Sequence, residues 1–170
     1  MNLIVAVSEN WGIGKDNNLL FCIREDLMRF KEITLNKVVV MGHSTFKSLP
    51  KNRRPLKDRI NIVLSRDTDL TIPGATVCYS LGHLYETLKA YDTDDIYIIG
   101  GEAVYTQLLN DCTRAYITKV QAVPQADTFF PNIEKLPNWQ LVEESETMFF
   151  EGLAFSYCLY TNVKGSKALD

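Results

Sequence analysis

Residues 19–33, LLFCIREDLMRFKEI, carry one acid in an unexpected place. Successive residues of a helix turn by about 100°. Measured from Asp26, the side chains of Ile33, Phe30, Ile23 and Leu27 then lie at about −20°, 40°, 60° and 100°. The charges of Arg24, Glu25, Lys31 and Glu32 fall outside that arc, whereas Asp26 sits within the apolar stripe. Burying an unpaired carboxylate is costly, so Asp26 has to be paired, protonated or matched to a ligand. One reading is a half-exposed helix-edge residue bonded to a neighbouring strand. The other is a receptor for a ligand with adjacent N–H donors, such as an amidine-like ring edge, which a carboxylate takes through two parallel hydrogen bonds.

Other residues capable of chemistry stand where apolar runs end. KVVVMG (37–42) ends in Gly42 and is followed by His43-Ser44-Thr45; RINIVLS (59–65) delivers Ser65-Arg66; DIYIIGG (95–101) ends in Gly100-Gly101. Helices starting after Gly42 and Gly101 would aim free backbone N–H groups at a phosphate, and two such ends suit a pyrophosphate. His43 and Arg66 are either a grip on a further phosphate, which favours NADPH over NADH, or solvated surface side chains. No GxGxxG is present, so the common dinucleotide fingerprint is missing. His43 and His83 are isolated and no metal site is expected. The cysteines Cys22, Cys78, Cys112 and Cys158 are scattered without a CxxC pair, which reads as reduced and cytoplasmic. Cys22 has no histidine near it in sequence to activate it as a nucleophile.

The elements that position these residues follow from the patterning. NLIVAVS (2–8) is an apolar, β-branched strand leading into ENWGIGKDNN, a loop rich in turn formers. The helix bearing Asp26 follows. STFKSL reads as a short helix capped by Ser44 or Thr45. ATVCYS (75–80) leads into LGHLYETLKAY, a helix with apolar Leu81, Leu84, Tyr85 and Leu88, and EAVYTQLLN is helical after Gly101. Alternating strands and helices imply parallel pairing through right-handed crossovers. RAYITKVQAV, WQLVEESE and LAFSYCLYTN are strands with no good helix between them, and a turn near Glu151-Gly152 predicts an antiparallel edge. The fold class is α/β: a central, mostly parallel sheet of about eight strands with an antiparallel C-terminal edge strand and about four flanking helices.

The chain has 170 residues, 46% of them hydrophobic and 23% charged, with a net charge of −3. That length suits one domain, expected over 1–163 with a polar tail at 164–170. An acidic balance argues against a nucleic-acid partner. The apolar run at the N-terminus is too short for a signal peptide, and no run is long enough for a bilayer.

With these motifs in hand, the chain resembles the dihydrofolate reductases over roughly residues 2–162. The pieces are IVAVSENWGIG, EDLMRFKEIT, VVMGHSTFKSLP, RPLKDRINIVLSR, IYIIGGEAVY and ADTFFP, in the family's order and spacing. The resemblance implies reduction of 7,8-dihydrofolate by NADPH, a role in one-carbon metabolism, and a monomer that binds dihydrofolate and antifolate-type inhibitors. It makes Asp26 the single ionisable residue facing the pterin, held in orientation by Thr118, with Ile4, Val5, Leu27, Phe30, Leu49, Leu56 and Ile99 as walls. Ala6, Leu19, Lys31 and Ser48 occupy further substrate positions. Arg59 matches the arginine that clamps the glutamate carboxylate of folate, a bidentate role lysine copies poorly. Tyr105 would lie beside the nicotinamide, with Ala6, Ile13 and Gly14 on the ring's edge. Gly42, His43, Ser44, Thr45, Leu64, Ser65, Arg66, Ile99, Gly100, Gly101, Glu102, Ala103 and Val104 would carry the rest of the cofactor. Family members also have a cis peptide at the pair matching Gly100-Gly101.

Three departures stand out. Leu19-Leu20-Phe21 replaces a common Leu-Pro-Trp, so Phe21 takes the catalytic position of an indole without its N–H. Cys22 follows at once, and His43 stands where an arginine commonly grips a cofactor phosphate. Two rivals remain at this point: a pteridine- or uracil-type NADPH reductase on the same scaffold, and a folate-binding protein without turnover.

Overall fold

The computed structural model describes residues 1–164. In chain order these form β1 (Asn2–Ser8), β2 (Gly12–Lys15), β3 (Asn18–Leu19), α1 (Arg24–Thr34), β4 (Val38–Gly42), α2 (His43–Ser48), β5 (Ile60–Leu64) and β6 (Ala75–Cys78). Then come α3 (Leu81–Leu88), β7 (Ile96–Gly100), α4 (Glu102–Leu108), β8 (Arg114–Val120), β9 (Thr128–Phe129), β10 (Trp139–Glu144), β11 (Met148–Phe150) and β12 (Leu153–Asn162). The polar tail expected from 164 onward lies, Lys164 aside, outside the described residues.

The main sheet runs β10-β12-β8-β1-β7-β4-β5-β6, with β11 paired to β12 off that path. Every pairing from β8 to β6 is parallel. The antiparallel edge is β12 against β8, extended outward by β10 and β11. Its β11–β12 turn falls at Glu151-Gly152, where both residues have positive φ (46° and 83°). Val38, Val39, Val40 and Met41 are each at most 2% exposed, as expected of a strand covered on both faces. Alternate residues serve two layers. Leu3, Val38, Val40, Ile62 and Ile98 join Leu84, Leu88, Val104 and Leu108 of α3 and α4 in the main core. Val39, Met41 and Val63 meet Phe46 of α2 on the other face. Each such Ile or Leu, fully buried, stabilises the fold by about 1.5–3 kcal/mol.

Three expectations need correction. The helix carrying Asp26 begins at Arg24 rather than near 19, because Asn18 and Leu19 are taken up by pairing with Lys15 and Gly14. Helix α2 is capped by neither Ser44 nor Thr45; it starts at His43 directly from β4, so Gly42 is the N-cap and no side chain caps it. The stretch after β1 is not a bare loop. β2 and β3 form a hairpin whose two turn residues, Asp16 (φ 51°) and Asn17 (φ 58°), are both left-handed, the requirement of a tight hairpin turn. That hairpin pairs through β2 with β9 in a small second sheet.

Among the described residues no helix is long and apolar enough to cross a membrane. Cys78, Cys112 and Cys158 are buried, Cys22 is exposed, and all four are free.

Candidate active site

The carboxyl ends of β1, β4, β5 and β7 form the crest where the unusual residues gather. Asp26 is in the first turn of α1, with Glu25 beside it, where acids suit the positive end of the helix dipole. It is half-buried. Thr118 of β8, 2% exposed, donates its hydroxyl to Asp26 Oδ1. Burial pushes the Asp26 carboxyl above its ordinary value, against the pull of the Thr118 hydrogen bond and the Arg29 charge. Thr118 pairs with Ala6 in register, and Tyr116 with Ile4, so this side of β1 and β8 faces the acid.

Tyr105 of α4 reaches across to β1 from the main core. It is 3% exposed, and its hydroxyl donates to the Ile4 carbonyl at 2.7 Å. Burial, with the Asp26 charge nearby, lifts its hydroxyl far above the usual phenol range, so Tyr105 is a neutral donor at physiological pH. The same ring packs under Gly100. A Cβ placed on Gly100, whose φ is +126°, would come within 3.3 Å of it. A Cβ on Gly101 would meet Thr45 Oγ1 at 3.1 Å, and one on Gly42 would meet Val104 Cγ2 at 3.2 Å. The ends of β4 and β7 therefore approach α2 and α4 with bare backbone. The Gly100-Gly101 peptide is cis. A long ligand that lies against main chain fits such a glycine cradle.

Not every expected residue points there. Val5 packs against the main core, on the opposite side of β1 from Ile4, and contributes backbone alone on the Asp26 side; Ile13 and Leu64 also pack on that core. Leu49, Leu56 and Ile99 gather on the Val39–Met41–Phe46 cluster, on the same face of the sheet as Ile4, Ala6 and Thr118. Leu27 is 38% exposed and Phe30 half-buried, both presented by α1, while Lys31 and Ser48 are exposed and Leu19 is 70% exposed on its hairpin. Phe21 packs in a third cluster with Ile23, Val120 and Phe155, which Tyr157, the register partner of Thr118, also joins. Arg59 is tied down: its Nε donates to the Lys57 carbonyl at 2.9 Å and Nη1 to Thr34 Oγ1 at 3.3 Å. It thus stands between the end of α1 and the start of β5. His43 is half-buried, Ser44, Arg66, Glu102 and Ala103 are exposed, and neither His43 nor Arg66 is engaged in an ion pair among the described residues. Ser65 accepts from the Asp67 amide through its hydroxyl at 3.1 Å.

One residue escaped the sequence reading. Arg29, half-buried one turn beyond Asp26, lies with its guanidinium carbon 4.1 Å from the centroid of the Tyr157 ring and 5.9 Å from that of Tyr116. Contacts of this kind contribute about 0.5–2 kcal/mol each. The signal was available, since three residues along a helix returns to the same face.

An α/β sheet whose crest carries one half-buried acid beside a glycine cradle defines a class of ligand-binding α/β enzymes. The family profile described as dihydrofolate reductase matches residues 1–162. A dihydrofolate reductase of Schistosoma mansoni is 35% identical over 178 residues, covering 94% of this chain and 95% of that protein. One of Bacillus subtilis (strain 168) is 33% identical over 170 residues, covering 99% and 98%. One of Drosophila melanogaster is 39% identical over 145 residues, covering 78% and 79%. The chain belongs to the dihydrofolate reductase family. It is an oxidoreductase of a family that reduces dihydrofolate to tetrahydrofolate with a nicotinamide cofactor.

Proposed function

We propose that this chain reduces 7,8-dihydrofolate to 5,6,7,8-tetrahydrofolate with NADPH, transferring hydride to C6 while N5 is protonated. The observation that carries this reading is the Asp26–Thr118 pair: a half-buried acid, oriented by a buried hydroxyl, beside β1, the strand whose Ile4 carbonyl also accepts from Tyr105. A carboxylate so fixed accepts the 2-amino group and N3 of the pterin through two parallel hydrogen bonds. Its negative charge raises the basicity of the bound ring, and the proton reaches N5 by way of water. Thr118 keeps the carboxylate plane aligned with the ring. Tyr105, neutral and buried, fixes the Ile4 carbonyl and holds the floor on which the two rings meet. Alignment of the two reactants and exclusion of bulk water supply most of the acceleration.

The cofactor, when bound, supplies the hydride. Gly42, Thr45, Gly100 and Gly101 would carry its pyrophosphate against bare backbone, and Ala6, Ile13 and Gly14 the nicotinamide edge. Arg66, exposed and unpaired at the end of β5, would meet the further phosphate that distinguishes NADPH from NADH, with His43 contributing less than an arginine would. Arg59 would leave Thr34 and turn its fork toward the glutamate carboxylate of the substrate. The monomeric state and the binding of antifolate-type inhibitors belong to the same reading.

A substrate panel tests it. Dihydrofolate should be reduced with NADPH, while simple pteridines and uracils should not. Binding of dihydrofolate without loss of nicotinamide absorbance would overturn the assignment.

A further inference from the structure

We propose that Arg29 is a positioning residue for Asp26: caged over Tyr157 and beside Tyr116, its guanidinium is held as a positive charge one helical turn from the carboxylate and acts on it through space. The inference rests on the functional reading above and names a residue that reading does not use. Arg29 sits three positions after Asp26 on α1, so the two side chains share a face. An arginine on an open helix surface would swing into water. Here the guanidinium carbon is 4.1 Å from the Tyr157 centroid and 5.9 Å from the Tyr116 centroid, and the residue is half-buried. Tyr157 is the register partner of Thr118, the residue that donates to Asp26. The cage and the acid's hydrogen-bond donor are thus neighbours on two adjacent strands.

The other groups around the acid cannot replace this charge. From α1 come the acids Glu25 and Glu32 and the cations Arg24 and Lys31, all exposed, whereas Arg29 is half-buried. From β8 come Thr118 and Tyr116, from β12 Tyr157, and from α4 Tyr105, none of them a cation. Arg29 is the cation that pulls the Asp26 carboxyl downward, opposing the burial that raises it. When a ligand covers the pocket and removes more water, that fixed charge matters more, because screening falls.

The test titrates Asp26 directly in ligand-free protein carrying carbon-13 at the aspartate carboxyls, with the Asp26 signal assigned by its loss in Asp26→Asn. Arg29→Met should move the Asp26 midpoint to higher pH, Arg29→Lys should leave it near wild type, and Tyr157→Leu, which loosens the cage but keeps the charge, should move it part of the way. The pH profile of kcat should shift in the same order. An unmoved midpoint in Arg29→Met, or a shift in Arg29→Lys as large as in Arg29→Met, would overturn the proposal. Should Arg29→Met not fold, Tyr157→Leu decides: an unmoved midpoint there overturns it equally. The titration needs no turnover, so an absence of dihydrofolate reduction by the wild type would count against the functional reading alone.

Discussion

Asp26 is held in the pocket at a cost to the ligand-free protein. Its carboxyl is raised by burial, so the folded state prefers the protonated form more than the unfolded chain does. Whatever stability the residue contributes is fully present below the ordinary carboxylate range and is lost as pH rises through the raised value. Asp26→Asn should therefore melt at or slightly above the wild-type temperature at pH 7, and calorimetry across pH would show the two proteins converging in acid. The same variant should lose about 10²-fold or more of kcat at pH 7 and recover part of it at low pH, where the substrate arrives protonated. A second expectation concerns Arg66. It is exposed and makes no ion pair among the described residues, so Arg66→Ala should leave the melting temperature unchanged while raising KM for NADPH roughly five- to tenfold, in line with a charge-assisted hydrogen bond that is partly screened. A matching rise in KM for NADH would contradict its assignment to the distinguishing phosphate. At this scale the oddity of Asp26 was legible from helical spacing alone. Helical spacing puts Arg29 on the face of Asp26, but its value depends on tyrosines brought in from β8 and β12.

Among the elements, the β2–β3 hairpin and the glycine ends of β4 and β7 govern the site. The hairpin is anchored through β2, where a Cβ on Gly14 would lie 2.7 Å from Thr128 Oγ1 and one on Gly12 2.7 Å from Ala126 Cβ, so the side chains of Thr128 and Ala126 fill the space that the two glycines leave. Its tip, with Asp16, Asn17 and Asn18, is exposed. Residues 9–21 should close over the nicotinamide and gate product release. Limited proteolysis should then cut this segment more slowly with NADP⁺ and folate bound, and an unchanged cutting rate would argue against closure. Gly100→Ala combines a φ of +126°, which side chains seldom adopt, with a contact 3.3 Å from Tyr105. It should cost about 1–3 kcal/mol, read by denaturant melting. Element types were legible from alternation of apolar runs with helical patterns, whereas their starts were not. The Asp26 helix looked longer because Leu19 and Leu20 extend its apolar run, yet pairing with β2 claims that segment. Asp16-Asn17 is the local signal of this hairpin, since both positions take left-handed backbone, whereas turn formers alone suit a loop equally well.

Over the whole molecule, one sheet decides where the chemistry can occur. β1 lies between β7 and β8, so the strand that brings Ile4 and Ala6 to the acid is flanked by the glycine end on one side and Thr118 on the other. Ile98, fully buried in β7, belongs to the core that holds this juxtaposition. Ile98→Ala should cost about 2–5 kcal/mol in a denaturant titration while leaving KM values near wild type in whatever fraction stays folded. The α/β class, the parallel order and the antiparallel edge could be read from the run of apolar segments, because strands buried on both faces carry no polar positions. Short β3, β9 and β11 could not, since two or three residues carry no period. The decisive measurement is the loss of nicotinamide absorbance when NADPH and dihydrofolate are mixed with wild type and with Asp26→Asn in parallel at pH 7. A rapid, dihydrofolate-dependent fall for the wild type and a fall slower by about two orders of magnitude for the variant are expected. Equal rates for the two proteins would contradict the role given to Asp26.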